Sequence, residues 1–413
     1  MEKKGFRSKL FILPIMVSLL ASCDGGFLSM SSESSTDSVS LSDSESSSLE
    51  TSSTIDSSST SESTYPDDAY FSETYKNIIY PTQQSGTGKY SGEIADPHVI
   101  AGDDGFYYIF STGRKAFRSQ DMVNWQLYSN AIINRPTWDD ANSGGNPEVW
   151  APDIAHIDGK WIYYYSLSVW GGEWSAGIGY AVADEIAGPY VDKGKLFTSQ
   201  EIGLQNSIDP APFVDDDGSV YLVFGSFSGI GMVQLNDNGQ GLLDDDIDYA
   251  AKNMKIIVGT KGNSITEGSY IIKKGSDYWY FGSAGSCCSG ANSTYRVVAG
   301  KANNVFGPYY DANNKVVGTA NGSVVVWGGA NKDGNVIGPG HNSIFLDDKN
   351  QYWMIYHGYA ADDNYVTRHL LMDKINWGDN GFPYVETSEG KLRPSYNEEL
   401  DGPTLLYEEY RDY

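Results

Sequence analysis

Five side chains that can hold or transfer a proton recur along the chain, each shortly before a polar turn. They are Asp96, Asp153, Asp209, Glu267 and His341, and each lies 6 to 9 residues before the glycine or asparagine of its turn. Two carboxyl groups on opposite sides of a sugar can hydrolyse a glycosidic bond, because one protonates the leaving oxygen while the other activates water or attacks the anomeric carbon. A third carboxyl group beside the proton donor raises the donor's pKa by repulsion. These residue types therefore suit acid–base chemistry on a glycoside.

The same residues have simpler interpretations. An aspartate at a strand end often only caps a turn, and a ring of carboxylates can also bind a metal ion. A calcium-binding or carbohydrate-binding module without catalysis is therefore the main alternative that the residues themselves leave open.

The elements that must position these side chains form a repeated pattern, in which a polar turn precedes a strand rich in aromatic residues. The turns fall near positions 105, 159, 218, 275 and 350, and the strands read FYYIFS, WIYYYS, SVYLVFGS, YWYFGS and QYWMIY. A repeat of 54 to 75 residues is typical of propeller blades. Short apolar runs bounded by Gly, Asp and Asn dominate over helical periodicity. The sequence predicts an all-β, five-bladed β-propeller in which the five side chains converge on the central axis.

The residues that follow the acids also carry information. Asp96 and Asp209 each precede a proline, whereas Glu267 precedes a glycine. A residue before proline is biased toward an extended backbone, so we expect extended conformations at Asp96 and Asp209. The glycine after Glu267 allows close approach of backbone or ligand.

The N-terminal part of the chain is predicted to direct export rather than to fold. Residues 1–22 combine basic residues with an apolar run, which is typical of a signal peptide and shorter than the ~20 residues of a membrane span. The ending Leu20-Ala21-Ser22-Cys23 looks like a bacterial lipobox, which predicts a lipidated Cys23 that anchors the protein to the membrane outside the cell; an ordinary signal peptide is the alternative. Residues 23–64, mostly Ser and Thr, are predicted to be a flexible tether, and residues 65–413 the folded propeller.

Composition restricts the partners. The net charge of −26 makes nucleic acids and polyanionic polysaccharides poor partners, whereas a neutral polymer is not disfavoured. The 30 tyrosines and 10 tryptophans leave aromatic rings available to stack on sugars. We expect a monomer. Beyond Cys23 the only cysteines are the adjacent Cys287 and Cys288, which are either buried thiols or a vicinal disulfide.

Several local motifs resemble glycoside hydrolase family 43 over about residues 90–385. The matching segments are ADPHVI at 95–100, VWAPDI at 149–154, SIDPAPFVDDDG at 207–218, TEGSYI at 266–271 and GPGHNSI at 338–344. Within that family, segments 225–230 and 285–296 are similar to endo-α-1,5-L-arabinanases. The resemblance implies a five-bladed propeller that cleaves arabinose- and xylose-containing plant polymers with inversion, and more narrowly a secreted endo-arabinanase acting on α-1,5-L-arabinan.

The resemblance also implies roles for individual residues. Asp96 is implied to be the general base that activates water, Glu267 the general acid, and Asp209 the residue that orients Glu267 and modulates its pKa. Asp153 matches a family motif without one of these roles and is expected to be structural. His341 matches a histidine that lies near an axial metal ion, usually calcium, held largely through water.

Three further residues are implied to contact the substrate. Trp150 and Trp170 match aromatic positions that line the arabinanase groove, although packing between blades is an alternative for Trp150. Arg368 lies where exo-acting members of the family contact the sugar. Ala95 stands where arabinanases commonly have histidine. An exo-acting α-L-arabinofuranosidase or β-xylosidase of the same family therefore remains an alternative, as does a non-catalytic surface lipoprotein that binds sugars.

Overall fold

The computed structural model describes residues 65–129, 134–138, 148–328 and 335–411. The predicted signal peptide, Cys23 and the Ser/Thr-rich segment 23–64 lie outside the described residues and stay predictions.

The polar turns recognised in the sequence join the first two strands of successive antiparallel sheets. The turn residues all have positive φ: Gly105 (85°), Gly159 (67°), Gly218 (84°), Gly275 (62°) and Asn350 (61°). Tight hairpin turns require this left-handed backbone, which glycine adopts without strain and asparagine tolerates better than most residues. The aromatic strand that follows each turn is almost entirely buried, as the sequence pattern indicates.

Twenty-five strands lie in the described part of the chain. The strands before the first sheet are β1 (Tyr70–Phe71) and β2 (Thr74–Tyr75). The first sheet contains β3 (His98–Ala101), β4 (Tyr107–Ser111), β5 (Lys115–Ser119) and β6 (Gln126–Ser129). The second contains β7 (Glu148–Ile157), β8 (Lys160–Ser168), β9 (Gly177–Ala183) and β10 (Val191–Thr198). The third contains β11 (Ala211–Val214), β12 (Val220–Ser226), β13 (Gly229–Gln234) and β14 (Lys255–Val258).

The remaining sheets complete the set. The fourth contains β15 (Thr266–Lys274), β16 (Asp277–Ala284), β17 (Arg296–Ala302) and β18 (Ser323–Trp327). The fifth contains β19 (Val336–Leu346), β20 (Tyr352–Ala360) and β21 (Arg368–Lys374). The last strands are β22 (Asn376–Trp377), β23 (Pro383–Tyr384), β24 (Leu400–Asp401) and β25 (Leu405–Leu406). The α-helices are α1 (Ser199–Ile202) and α2 (Ile247–Asn253), and 3-10 helices span Asp67–Ala69, Leu243–Asp245, Gly290–Asn292, Ala361–Asp363 and Glu408–Tyr410.

The five sheets close into a ring through their first strands. β3 contacts β7, β7 contacts β11, β11 contacts β15, β15 contacts β19, and β19 returns to β3. A buried apolar cluster fills each interface between neighbouring sheets. Each blade thus buries both of its faces against its neighbours. The predicted five-bladed all-β propeller is confirmed.

The two ends of the described chain meet beside the interface between the fifth and first blades. β1 pairs with β25 and β2 with β24, and Ile79 forms a bridge to Leu370 in β21. The buried side chain of Asn77 bonds to the carbonyl of Met372 at 2.7 Å and to the Asp373 carboxylate at 3.0 Å. These contacts join residues 291 to 336 positions apart and hold the ring closed.

Within the residues that the structure describes, no helix is both long and apolar enough to cross a membrane.

Candidate active site

Each innermost strand has a residue with a left-handed backbone that lies within the strand or two residues before it. These residues are Asp96 (φ 55°), Ala151 (40°), Asp209 (57°), Gly268 (56°) and His341 (49°), and β19 has a second one at Gly338. The strand ladders shift register at the same places in the second, fourth and fifth blades. The expectation of an extended backbone at Asp96 and Asp209 is therefore wrong. Aspartate tolerates the left-handed region better than most residues, and such strain persists where surrounding contacts determine it.

Those surrounding contacts come from the preceding blade. In four blades the N–H of the left-handed residue donates to a side chain at or near the end of the second strand of the blade before it. The pairs are Asp96 with His357 Nδ1 (3.0 Å), Ala151 with Thr112 Oγ1 (2.9 Å), Asp209 with Ser166 Oγ (2.9 Å) and His341 with Ser283 Oγ (2.7 Å). The fourth blade differs, because Ser226 instead donates to the side chain of Glu267. A repeated contact between blades thus fixes the backbone that carries the acids.

The acids line an open cavity at this end of the ring. This cavity, which we call the groove, has a volume of ≈ 900 Å³ and is lined by residues of all five blades, including Asp96, Asp209, Glu267 and His341. The expected convergence is therefore confirmed for these four residues.

Asp153 does not line the groove. It borders a much smaller axial cavity, where its Oδ1 lies 3.0 Å from Nδ1 of His98 and both residues are buried. In β7 the left-handed residue is Ala151, and Asp153 follows it inside the strand. Asp153 therefore lies farther from the groove end of its strand than the other acids. Its expected structural role agrees with this placement.

Asp96 is a carboxylate surrounded by positive charge. Its Oδ1 lies 3.1 Å from Nδ1 of His341 and 3.8 Å from Nη1 of Arg368, and the Thr112 hydroxyl donates to its Oδ2. Burial alone would raise the pKa of Asp96, but His341 and Arg368 together hold it well below the usual range. Asp96 is therefore ionised and can accept a proton from water.

The pKa of Glu267 is shifted in the opposite direction, toward the protonated form. It is 9% exposed; its Oε2 accepts a hydrogen bond from the Ser226 hydroxyl at 2.8 Å, and its Oε1 accepts one from the Tyr295 hydroxyl at 3.0 Å. Burial raises the pKa of Glu267 in spite of these two donors. A buried carboxyl group that keeps its proton to higher pH is suited to act as a general acid.

Asp209 is tied directly to the backbone beside Glu267. The N–H of Gly268 donates to Asp209 Oδ2 at 3.0 Å. Burial raises the pKa of Asp209, and the nearby Glu267 adds to the effect by repulsion. This contact gives Asp209 a means to orient Glu267 and to couple to its proton.

His357 was not recognised from the sequence. Its ring is fully buried, and because its Nδ1 accepts the N–H of Asp96, that nitrogen carries no proton. Burial lowers the pKa of His357 well below the usual range, so the ring is neutral. The approach of 3.4 Å between Nδ1 and Asp96 Oδ1 is therefore not an ion pair. The repeat could have identified His357, because it follows the strand QYWMIY. It occupies the same place in its blade, counted from the turn, as Thr112 and Ser166 do in theirs.

The predicted substrate-contacting residues all line the groove. Trp150 lies in β7, and Trp170 follows β8 with 79% of its surface exposed; their rings are 5.7 Å apart. Trp150 is half-buried and lines the groove. Arg368 begins β21, and its Nε donates to Glu93 Oε1 at 2.8 Å.

The cysteine pair is not a pair of buried thiols. Cys287 and Cys288 are bonded to each other and line the groove, with Cys288 exposed. Nη1 of Arg368 lies 3.7 Å from Sγ of Cys288. The alternative of a vicinal disulfide is the correct one.

The fit to a metal ion rests on a few polar atoms near the axis. Among the described residues, no three His, Cys, Asp or Glu side chains are arranged to bind one ion directly. Burial lowers the pKa of His341, but the neighbouring Asp96 and Asp209 reverse this effect and raise it to about 9, so the ring is charged and does not ligate an ion directly. Both amide atoms of buried Asn342 have no hydrogen-bond partner in the described part of the chain. These groups fit only an ion that retains most of its water.

Known proteins are similar to this chain in sequence and in fold. The family described as Glycosyl hydrolases family 43 matches residues 90–383. An extracellular exo-α-(1→5)-L-arabinofuranosidase of Cellvibrio japonicus is 33% identical over 311 residues, which cover 72% of this chain and 87% of that protein. An extracellular endo-α-(1→5)-L-arabinanase of Bacillus subtilis is 28% identical over 313 residues, 73% of this chain and 91% of that protein. The solved α-L-arabinanase of Cellvibrio cellulosa with arabinohexaose gives a TM-score of 0.63 at 30% identity, covering 71% of this chain and 95% of that one.

Proposed function

Because the chain belongs to family 43 of the glycosyl hydrolases, we propose that it hydrolyses α-1,5-linked L-arabinan by inversion. The observation that carries this proposal is the contrast between two carboxyl groups in one groove. Asp96 is held ionised by His341 and Arg368, whereas burial raises the pKa of Glu267. Two acids whose surroundings push their pKa values apart are the arrangement that acid–base catalysis requires.

The roles follow from these environments. Asp96 takes a proton from the water that attacks the anomeric carbon. Glu267 gives its proton to the oxygen of the leaving sugar, while the Tyr295 hydroxyl continues to donate to Oε1 and stabilises the carboxylate that forms. Asp209 holds the backbone at Gly268, and burial together with repulsion from Glu267 raises the pKa of Asp209 to about 7, so the two carboxyl groups affect each other's protonation.

Inversion requires room for a water molecule between Asp96 and the sugar. We therefore expect the carboxyl groups of Asp96 and Glu267 to stand roughly 6.5–9.5 Å apart. Proton NMR of the first product tests this step, because inversion of an α-linkage releases the β-anomer before mutarotation. Initial release of the α-anomer contradicts the proposal.

We propose endo action, because residues of the second and fourth blades line the groove in addition to the acids. The exposed Trp170 lies in it on the second blade, and Cys287 and Cys288 lie in it on the fourth. A volume of ≈ 900 Å³ is near the upper end of the about 300–1,000 Å³ usual for ligand sites and can hold several furanose rings. Exo action is the second candidate, favoured by the 33% identity to an exo-α-(1→5)-L-arabinofuranosidase.

Product analysis on linear arabinan separates the candidates. Endo cleavage lowers viscosity early and yields a ladder of oligosaccharides, whereas exo cleavage releases one short product. Arabinoxylan and galactan serve as control polymers, and nitrophenyl arabinofuranoside and xyloside detect an exo-acting arabinofuranosidase or xylosidase. Binding of arabinan without new reducing ends would instead identify a sugar-binding lipoprotein.

Loss of the two acids provides the mutational test. Glu267→Gln and Asp96→Asn should each lower kcat by at least about 10²–10⁴-fold, the usual contribution of a general acid or base. Glu185→Gln, at an exposed acid outside the groove, is the matched control. A Glu267→Gln protein with more than a tenth of wild-type activity would remove Glu267 from its role.

We also propose a calcium ion near His341 and a membrane-anchored position outside the cell. Calorimetric titration of EDTA-treated protein with calcium tests for this ion. A bound ion should also raise the midpoint of thermal unfolding. Relatives named extracellular support export. Cys23 as the lipid attachment site stays a prediction for fractionation experiments.

A further inference from the structure

The disulfide between Cys287 and Cys288 is placed where no structural need for a cross-link is evident. A bond between adjacent residues closes no loop of chain and therefore adds almost nothing to the stability that disulfides gain from loop closure. The pair also lies at the surface of the groove rather than in an apolar cluster. Its position calls for a role in the groove.

The loop that carries the disulfide is braced by its own hydrogen bonds. The N–H of Ser286 donates to the Thr294 hydroxyl at 3.0 Å, and the Ser293 hydroxyl donates to the carbonyl of Ser286 at 2.7 Å. Gly285 has a φ of +99°, and a Cβ there would lie 2.4 Å from the carbonyl oxygen of Thr294. The loop is thus a closed turn that presents the two sulfur atoms at a defined place.

The ring geometry places this loop across the groove from the aromatic residues. The loop joins β16 to β17 in the fourth blade, and Cys288 contacts Arg368 of the fifth blade. In a ring of five equal blades, the junction of the fourth and fifth blades lies opposite the second. The second blade carries Trp150 and Trp170, and both of these residues and both cysteines line the groove.

A sugar has two kinds of surface that such a site can recognise. Its C–H face packs against apolar or aromatic groups, and its hydroxyl groups bond to polar ones. Disulfide sulfurs are polarisable and lack a strong donor, so they suit the C–H face. The guanidinium of Arg368, 3.7 Å from Cys288 Sγ, carries donors suited to the hydroxyl groups.

We propose that the Cys287–Cys288 disulfide is a sugar-binding wall of the groove, which packs against one L-arabinofuranose unit opposite Trp150 and Trp170. This inference rests on the proposed function, since it names the unit that the proposed substrate supplies. Substrate binding therefore depends on two apolar walls, one aromatic and one of sulfur, with the acids between them.

The test compares three proteins on linear arabino-oligosaccharides: wild type, the double variant Cys287→Ala/Cys288→Ala and Trp170→Ala. Burial of one small apolar surface predicts a rise in KM of about 5- to 10-fold for the double variant. Its kcat should stay within about 2-fold of wild type, because the substitutions leave the contacts of Glu267 in place. Trp170→Ala should show the same pattern from the opposite wall.

A chemical arm keeps the inference testable if the double variant does not fold. Dithiothreitol gives two electrons and two protons to the disulfide and becomes its own cyclic disulfide, leaving two cysteine thiols that iodoacetamide then blocks. This treatment should raise the KM of wild type and leave the double variant unchanged. Cys23 is present in both proteins, so a difference between them belongs to Cys287 and Cys288.

The outcomes separate the two proposals. If wild type cleaves arabinan and neither substitution nor reduction changes KM, the sulfur wall is refuted and the proposed function stands. A fall in kcat with an unchanged KM also refutes the wall, because it assigns the pair to support of the acids. If wild type releases no reducing ends from arabinan, both proposals fail together.

Discussion

Removal of one hydroxyl group should displace the pH profile of this enzyme. The Tyr295 hydroxyl donates to Glu267 Oε1 at 3.0 Å, and Tyr295 is almost completely buried. A hydrogen bond to a charged group contributes about 1.5–3 kcal/mol, and 1.36 kcal/mol corresponds to about one pKa unit. Tyr295→Phe should therefore raise the pKa of Glu267 by about 1–2 units, because the ionised form loses a donor.

The direction of the change follows from the role of Glu267. A general acid acts only while protonated, so the alkaline limb of kcat/KM reports its pKa in the free enzyme. Tyr295→Phe should move that limb to higher pH by about 1–2 units and leave the acid limb in place. Phenylalanine keeps the ring that stacks on His357 at 5.9 Å, so the packing beside Asp96 is preserved.

The assay is kcat/KM on a soluble arabino-oligosaccharide between pH 4 and pH 10, with Tyr309→Phe as the matched control. Tyr309 is also fully buried in the fourth blade, but its hydroxyl donates to the carbonyl of Val305 at 2.7 Å and lies outside the groove. Both variants lose one buried hydroxyl, and only Tyr295→Phe should shift the profile. An alkaline limb that stays in place, or moves to lower pH, would refute the assignment of Glu267 as the acid.

Three further predictions address other parts of the molecule. Asp209→Asn should lower the alkaline limb, because it removes a negative charge that raises the pKa of Glu267; an unchanged profile would deny Asp209 this role. Burial raises the pKa of Asp373 to about 7, so the folded state binds more protons than the unfolded state between about pH 4 and pH 7, and stability should fall as pH rises through that window. In Asp373→Asn the free energy of unfolding, measured with urea, should fall by up to about 4 kcal/mol less between about pH 4 and pH 7 than in wild type. An equally steep fall would show that Asp373 is not the group responsible. Cys23→Ser should move the protein from the membrane fraction to the medium and abolish palmitate labelling, whereas retained labelling would show that the lipid lies elsewhere.

Much of the fold could be predicted because its signals are local. A left-handed turn residue, a following aromatic strand and an acid at fixed spacing are properties of short segments, and five copies of them specify five blades. Repetition and closure bring Asp96, Asp209, Glu267 and His341 into one groove, but they did not reveal that Asp153 lies outside it. The disulfide could only be stated as one of two alternatives, since adjacent cysteines bond or stay reduced according to the shape of their loop.

The repeated elements, and the chemical groups that each one carries, can be read from short segments of the sequence. The tertiary structure decided how those groups behave, because their partners come from other blades. Asp96 and Asp209 are left-handed rather than extended because His357 and Ser166 hold their N–H groups. Burial alone would raise the pKa of both Glu267 and Asp96. Only Asp96 has cations close enough to reverse this effect, so the two pKa values shift in opposite directions. Such contacts join residues separated by tens to hundreds of positions, and no local pattern records them.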